Sequence, residues 1–467
     1  MKRISENIQP ALKRLKSFCE VVLGFKKNQT VSEAHRCPQC SHPKCVVGCP
    51  LKIDIPGFIR SLREGNSAKA LHRIREQNSL AGICGRLCSA PCEQTCILNE
   101  EEGADPISIK GLERFAFDQG QSAFKQLFNA ESSNQNNRKV AVVGSGPTGL
   151  TAASVLVEAG YQTTIFEALH LPGGILRYGI PEFRLPKKVL DDEIKYIESL
   201  GVNIQTNCLI GRTSTIADLK DLGYEAILLA TGASVSEMPD IPGAQLKGVH
   251  FAQEFLMRTN LINEQQSFKS EIADLFGEKI VVIGSDTMAL DCVRVAVRLN
   301  KQATVICSQG EDGIQATESE REHAKEEGVH LEVLTSPIEI LSDENNCVKA
   351  VRCIRMDFAD KDGKGLWKVV PVKNSEFIIE ADTIILSDMG TSNSLIMREV
   401  NDLKISKNNS IWIKKNEYST SVDGVFAAGG VVDKSLSLID ALYQGKTAAQ
   451  KIDSYIQEKN KNEETNA

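Results

Sequence analysis

The stretch IPGFIRSLREGNSAKALHRIREQN (residues 55–78) spaces its apolar residues three and four positions apart, with charges between them. That period predicts helices with one buried face. Further along the pattern changes. KVAVVGSGPTGLTAASVLVEAGYQTTIFEA (139–168) opens on a continuous apolar run, turns through glycines, becomes helical and closes on a second apolar run. It predicts a strand, a glycine turn, a helix and a strand. EKIVVIGSDTMALDCVRVAVRLNKQATVIC (278–307) repeats the pattern 139 residues later. Two such βαβ units predict an α/β chain with two Rossmann-like nucleotide-binding domains. Polar stretches punctuate it. AESSNQNNR (130–138) reads as a linker or surface loop, TNLINEQQSFKSEIADLFG (259–277) as an insertion, and the end of the chain as a disordered tail.

Length and composition narrow this only a little. The chain has 467 residues, which at ~150 residues per domain allows about three domains. With 42% hydrophobic and 25% charged residues it is neither disordered nor collagen-like. A net charge of −7 argues against a general nucleic-acid binder. No apolar run reaches the ~18 residues of a membrane span, so no membrane insertion is expected. Glu20 interrupts the apolar part of the N-terminal segment, so no signal peptide is expected, and the chain reads as cytoplasmic.

The cysteines change the picture more. Of 14, nine fall in the first 96 residues. Clustered thiols in a reducing compartment point to metal. The groups are Cys37-x2-Cys40-x4-Cys45-x3-Cys49-Pro50 and Cys84-x3-Cys88-x3-Cys92-x3-Cys96. Ferredoxin-type runs also end in Cys-Pro, and their fourth cysteine can serve the other cluster. Zinc sites more often show two separate CxxC pairs, and here there is one. Two [4Fe–4S] clusters are therefore expected, with a helical iron–sulfur domain ahead of the two nucleotide domains. Cys19 reads as incidental, and Cys208, Cys292, Cys307, Cys347 and Cys353 as small core residues.

The first glycine turn, Gly144-Ser-Gly146-Pro147-Thr-Gly149, follows a strand and opens a helix, the context a dinucleotide fingerprint requires. Gly144 suits the tight turn, Gly146 the approach of a pyrophosphate to the helix N-terminus, and Gly149 close helix–strand packing. Glu167 lies 23 residues after Gly144 and is placed to accept from a ribose hydroxyl.

The segment LPGGILRYGIPEFRLPK (171–187), together with Ala230-Thr231-Gly232, closely resembles the glutamate synthase small-subunit family. It is also similar to the N-terminal part of dihydropyrimidine dehydrogenase and to the large subunit of the NADH-dependent ferredoxin:NADP oxidoreductase. The resemblance runs from about Ser32 to Ile452. It implies FAD at the first turn, with Gly173, Gly174 and Arg177 along it and Thr231-Gly232 closing the cofactor domain. It implies a crossed cluster arrangement: Cys37, Cys40, Cys45 and Cys96 for one, Cys49, Cys88 and Cys92 for the other. For the fourth ligand of the second cluster the resemblance points to Glu113, with Cys84 as the alternative. The implied domains are 1–125 (clusters), 138–255 and 386–455 (FAD), 256–385 (NAD(P)H-binding-like) and a tail at 456–467.

Three positions depart from the family. Its second turn reads GGGDTAMDC; this chain has Gly284-Ser285-Asp286, a carboxylate where a glycine admits the pyrophosphate. Arginines that follow the next strand in the family are Ser308 and Gln309 here. The family's GVFAGGD becomes GVFAAGG, so Gly429 is kept but Gly430 stands where an aspartate holds the FAD ribityl chain. The expected function is an FAD and iron–sulfur oxidoreductase subunit that passes electrons to a redox partner subunit. Two versions stay open: an NAD(P)H-oxidising one, and an electron relay that has lost direct NAD(P)H oxidation.

Overall fold

The computed structural model describes residues 2–127, 136–264, 275–361, 367–387, 390–400 and 402–466. The linker expected at 130–138 and the insertion at 259–277 fall partly outside them.

The N-terminal part is helical apart from a short antiparallel ribbon, β1 (Asn7–Ile8) with β2 (Val22–Gly24). Helix Ile55–Arg63 starts where the Asp54 carboxylate accepts from Gly57 N at 3.0 Å, and helix Ser67–Arg75 where Asn66 accepts from Lys69 N at 2.9 Å. Such caps satisfy donors that a helix leaves unpaired. The helices bury Phe58, Ile59, Leu71 and Ile74 against helix Ile109–Leu127, through Leu112, Ala116 and Phe117.

The strands that follow are β3 (Lys139–Val143), β4 (Gln162–Phe166), β5 (Asn203–Gln205), β6 (Tyr224–Leu229), β7 (Val249–Phe251), β8 (Lys279–Ile283), β9 (Gln302–Ile306), β10 (His330–Glu332), β11 (Thr335–Ser342), β12 (Val348–Lys361), β13 (Trp367–Glu380), β14 (Thr383–Leu386) and β15 (Val425–Ala427). One parallel sheet runs β15-β6-β3-β4-β5 and a second runs β10-β9-β8-β14-β7; β11-β12-β13 form an antiparallel sheet. In each parallel sheet the glycine turn follows the strand at which the order reverses, β3 or β8. The crevice at that point is where ligands bind in open α/β sheets.

Two expectations are corrected. Because β7 pairs with β14, the second domain takes in residues 249–255, which were assigned to the first. At three residues, Val249-His250-Phe251, β7 is too short for its alternation to be a readable signal. The tail expected to be disordered from residue 456 is instead the end of helix Leu438–Asn466, and Ile456 is fully buried in the core. Lys, Glu and Gln are good helix formers, so polarity there did not mean disorder.

The cluster domain and the first sheet share one hydrophobic core. Across their joint the buried Glu193 carboxylate accepts from Gly82 N at 2.6 Å and pairs with Arg75 at 2.7 Å. Phe18, Val21 and Phe183 enter the core of the second domain instead. Arg184 follows them and pairs with Asp291 at 2.7 Å.

Candidate functional site

The cysteines sit at the ends of short helices. Cys49 closes helix Lys44–Gly48, Cys88 closes Ala81–Leu87, and Cys92 lies in Pro91–Gln94. Cys49, Cys88 and Cys92 line one small cavity together with Cys84 and Glu113. Burial, and then the neighbouring Cys37, Cys96 and Cys40, push the Cys45 thiol up to about 12. Cys49, from the first motif, thus stands with Cys88 and Cys92 of the second, and Cys96, from the second motif, is near enough to Cys45 to raise its thiol.

Cys37, Cys45, Cys49, Cys84 and Cys92 are costly to ionise where they stand. Burial pushes Cys37 and Cys49 up, and Glu113 adds to the rise at Cys49. Burial, then Glu93, Glu113 and Cys88, raise Cys92. A hydrogen bond between Cys84 and Cys88 raises the former and lowers the latter. Glu113 is raised by burial and then by Cys88, although Asn78 donates to it at 3.1 Å. Sulfurs so desolvated would ionise on binding a cationic metal centre, which stabilises the thiolate. Among the described residues no three His, Cys, Asp or Glu converge closely enough to hold a single metal ion. The cavity lined by Cys49, Cys84, Cys88, Cys92 and Glu113 offers the sulfur-rich donor set that an iron–sulfur cluster takes.

The first glycine turn is built for close backbone approach. Gly144 takes φ +106°, and a Cβ there would lie 2.5 Å from Ala230 O. At Gly149 a Cβ would lie 1.9 Å from Gly144 O. Among the described residues, its chain neighbours aside, a Cβ at Gly146 would meet no atom within 4 Å. Gly146 caps helix Pro147–Glu158, with Pro147 in its first turn, so the space left open lies at the helix N-terminus. Gly173 and Gly174 fold over this turn, and a Cβ on Gly174 would be 2.9 Å from Gly146 Cα. Gly232 (φ +73°) follows β6, and Gly429 (φ +80°) packs on Thr148 from the far side.

Three expected roles change in detail. Glu167 accepts from Ser145 N at 3.0 Å, from the Ser145 hydroxyl and from Leu169 N at 2.8 Å. It organises the turn; a carboxylate has about four acceptor sites, so these three bonds leave capacity for one more. Arg177 donates to Pro172 O at 2.6 Å and pairs with Asp191, which braces the Gly173-Gly174 segment. A Cβ at Gly430 would lie 3.1 Å from Ala233 N and 3.3 Å from Gly232 Cα. The backbone has closed on this glycine, so an aspartate there would have to push Gly232-Ala233 aside.

Residues 14–124 match the model of dihydropyrimidine dehydrogenase domain II, 4Fe-4S cluster, and residues 138–445 match pyridine nucleotide-disulphide oxidoreductase. The chain belongs to the pyridine nucleotide-disulphide oxidoreductase family. It is 28% identical over 466 residues to the glutamate synthase [NADPH] small chain of Escherichia coli, covering 97% of this chain and 98% of that one. It is 32% identical over 441 residues to the NADP(+)-dependent formate dehydrogenase subunit beta of Moorella thermoacetica, covering 89% of this chain and 60% of that one. With the NADPH-Fe(3+) oxidoreductase subunit beta of Geobacter sulfurreducens it shares 30% identity over 483 residues, 96% of this chain and 69% of that one. Mycobacterium tuberculosis FprA in complex with NADPH has the same fold, with a TM-score of 0.56 and 18% identity over 71% of this chain and 86% of that one. The resemblance to glutamate synthase small subunits holds over nearly the whole chain, and this oxidoreductase is a flavin-dependent iron–sulfur protein. Among the described residues, no helix is long and apolar enough to cross a membrane.

Within the oxidoreductase the second glycine turn is arranged differently. Asp286 is the cap of helix Thr287–Arg298; its Oδ1 accepts from Ala289 N at 2.7 Å and from the Ser387 hydroxyl at 2.7 Å. The chain's own carboxylate takes a helix N–H that a pyrophosphate would otherwise find. Ser387 was not legible as its partner, because it lies 101 residues away. Ser145 was also missed: its hydroxyl links Glu167 to Gly173 N, the latter at 2.9 Å. Gly445 was missed too. A Cβ there would lie 2.3 Å from Thr148 O, and an isolated glycine in a helical stretch was the available signal. Of the five cysteines read as core, Cys292, Cys307 and Cys353 are buried, whereas Cys208 and Cys347 are half-buried.

Proposed function

We propose that the chain holds one FAD at the Gly144–Gly149 turn and two [4Fe–4S] clusters, and serves as a cytoplasmic subunit that delivers electrons to a partner. One cluster is held by Cys37, Cys40, Cys45 and Cys96, the other by Cys49, Cys88, Cys92 and Glu113, with Cys84 as the competing ligand. The observation that carries the reading is the cavity shared by Cys49, Cys88, Cys92, Cys84 and Glu113, supported by the effect of Cys96 on the Cys45 thiol. When bound, the flavin and the clusters supply the conversion between two-electron and one-electron transfer. The protein binds them, spaces them and excludes water. That relatives are named as subunits of formate dehydrogenase and glutamate synthase supports a partner subunit here.

Anaerobically purified protein should contain about eight iron atoms per chain, with acid-labile sulfide. Stoichiometric zinc without sulfide would overturn the reading. Cys45→Ser should remove one cluster signal. Glu113→Gln should perturb only the other; an unchanged spectrum, with loss on Cys84→Ser, would make Cys84 the ligand.

A second reading concerns the electron source. The Asp286 cap favours a relay that takes electrons from a protein donor rather than from free NAD(P)H. The carboxylate stands at the pyrophosphate position, and Ser308 and Gln309 offer no cation to a 2′-phosphate. Anaerobic stopped-flow reduction of the flavin at 450 nm tests it. Slow reduction by NADPH, and no slower by NADH, is expected beside normal reduction by dithionite.

A further inference from the structure

Gln39 lies between two of the first-group cysteines, and nothing above gives it a task. Its backbone is left-handed, at φ +54°. Side-chain-bearing residues adopt this conformation reluctantly, whereas glycine does so freely. Its side-chain Nε2 lies 3.5 Å from Cys37 Sγ. Its Oε1 accepts from Arg60 Nε at 3.2 Å. A guanidinium carries donors only, so Arg60 dictates which end of the amide faces it and turns the NH2 group towards the sulfur. Arg63, one helical turn on, donates to Cys37 O and, at 2.8 Å, to Ala34 O. Helix Ile55–Arg63 thus grips the Cys37 loop by its backbone through Arg63 and by its sulfur through Arg60 and Gln39.

We infer that Gln39 is a positioning residue that sets the reduction potential of the cluster held by Cys37, Cys40, Cys45 and Cys96, and that Arg60 orients it. This rests on the cluster assignment above. An N–H donated to a ligand sulfur withdraws electron density and stabilises the reduced, more negative state, which raises the potential. Gln39 is half-buried and Arg60 exposed, so both can be changed without opening the core.

The experiment is an EPR-monitored redox titration of the reconstituted full chain, with iron and sulfide counted for each variant. Gln39→Leu should move one cluster to a more negative potential and leave the other where it was. Gln39→Glu should move the same cluster further, because a carboxylate would face the sulfur. Arg60→Leu should give a smaller shift in the same direction. Gln39→Gly relieves the backbone conformation, so it should not lower stability, yet it should lower the potential; a merely structural role would not separate the two. Unchanged potentials in Gln39→Leu and Gln39→Glu at full iron content would overturn the inference and leave the cluster assignment standing. If those two lose iron, the Gln39→Gly and Arg60→Leu titrations decide in the same way. A wild-type chain that takes up zinc and gives no EPR signal would overturn the cluster assignment itself.

Discussion

The two glycine turns stand at the same point of two similar sheets, after β3 and after β8, and they treat the helix behind them in opposite ways. Gly146 leaves the N-terminus of its helix bare: among the described residues, its chain neighbours aside, no atom lies within 4 Å of where a side chain would begin. Asp286 fills the corresponding place with a carboxylate that already accepts from Ala289 N and the Ser387 hydroxyl. A helix N-terminus attracts an anion in either case. In the first domain the anion has to come from a ligand; in the second it is part of the chain. Topology alone therefore does not make a nucleotide site, because one side chain decides whether the N-terminus is available.

The largest effect should separate Gly146 from its neighbour Gly149. A methyl group at Gly146 meets no protein, so Gly146→Ala should fold normally and still lose FAD, because the pyrophosphate would meet the new Cβ. Gly149→Ala would drive a Cβ to 1.9 Å from Gly144 O. Overpacking of that kind typically costs about 1–3 kcal/mol or more, so this variant should be destabilised whether or not flavin is present. Absorbance at 450 nm after desalting, with circular dichroism on the apoproteins, distinguishes the two. Asp286→Ala should leave bound FAD unchanged. If Gly146→Ala retained FAD, the contrast between the turns would fail.

A smaller effect is expected from converting the second turn into the first. A charge such as Asp286 about 4 Å from a pyrophosphate costs roughly 1–4 kcal/mol in a water-like to surface-like dielectric. That is about one to three decades of affinity. Asp286→Gly combined with Ser308→Arg and Gln309→Arg should therefore restore saturable reduction of the flavin by NADPH. The measurement is the stopped-flow rate against nucleotide concentration. Fast reduction of the unaltered protein by micromolar NADPH would refute the relay reading. Failure of the triple variant would place the defect elsewhere in the domain.

Much of this contrast was legible in the sequence. The two βαβ patterns predicted both parallel sheets, the apolar period of residues 55–78 predicted the helices of the N-terminal domain, and the cysteine spacing predicted that it binds metal. Asp286 stood out as an intruder in a glycine position. Its role as a helix cap did not, because Ser387 joins it only once β8 and β14 pair. Gln39 was passed over for a similar reason: its amide acquires a direction only from Arg60, 21 residues further on. Arg177 was read as a ligand contact, but its strongest partner, Asp191, lies on the next helix. Local period and spacing give elements and donor sets; the orientation of each donor depends on contacts between elements, which no short window contains.

The smallest effect tests the cap itself. If Asp286 is held for the helix rather than for a ligand, Asp286→Ala should cost about 0.5–2 kcal/mol locally, the usual loss on removing an N-cap side chain. In a chain with several domains a single melting temperature would blur that loss, so the readout should be hydrogen exchange at Ala289, whose N–H is the donor at 2.7 Å. Exchange there should accelerate about twofold to thirtyfold, while amides on the Gly146 helix stay unchanged. Asn is as good a cap as Asp, so Asp286→Asn should preserve protection at Ala289 while removing the charge. The same Asn variant then isolates electrostatics: any gain in NADPH affinity over the unaltered protein comes from the lost charge, because the cap is still in place. Ser387→Ala should have a weaker effect on Ala289 than Asp286→Ala, since it removes a donor to the carboxylate and leaves the bond to the helix intact. If Ala289 exchanged equally in all of these proteins, the carboxylate would not be capping the helix, and the second turn would differ from the first by charge alone.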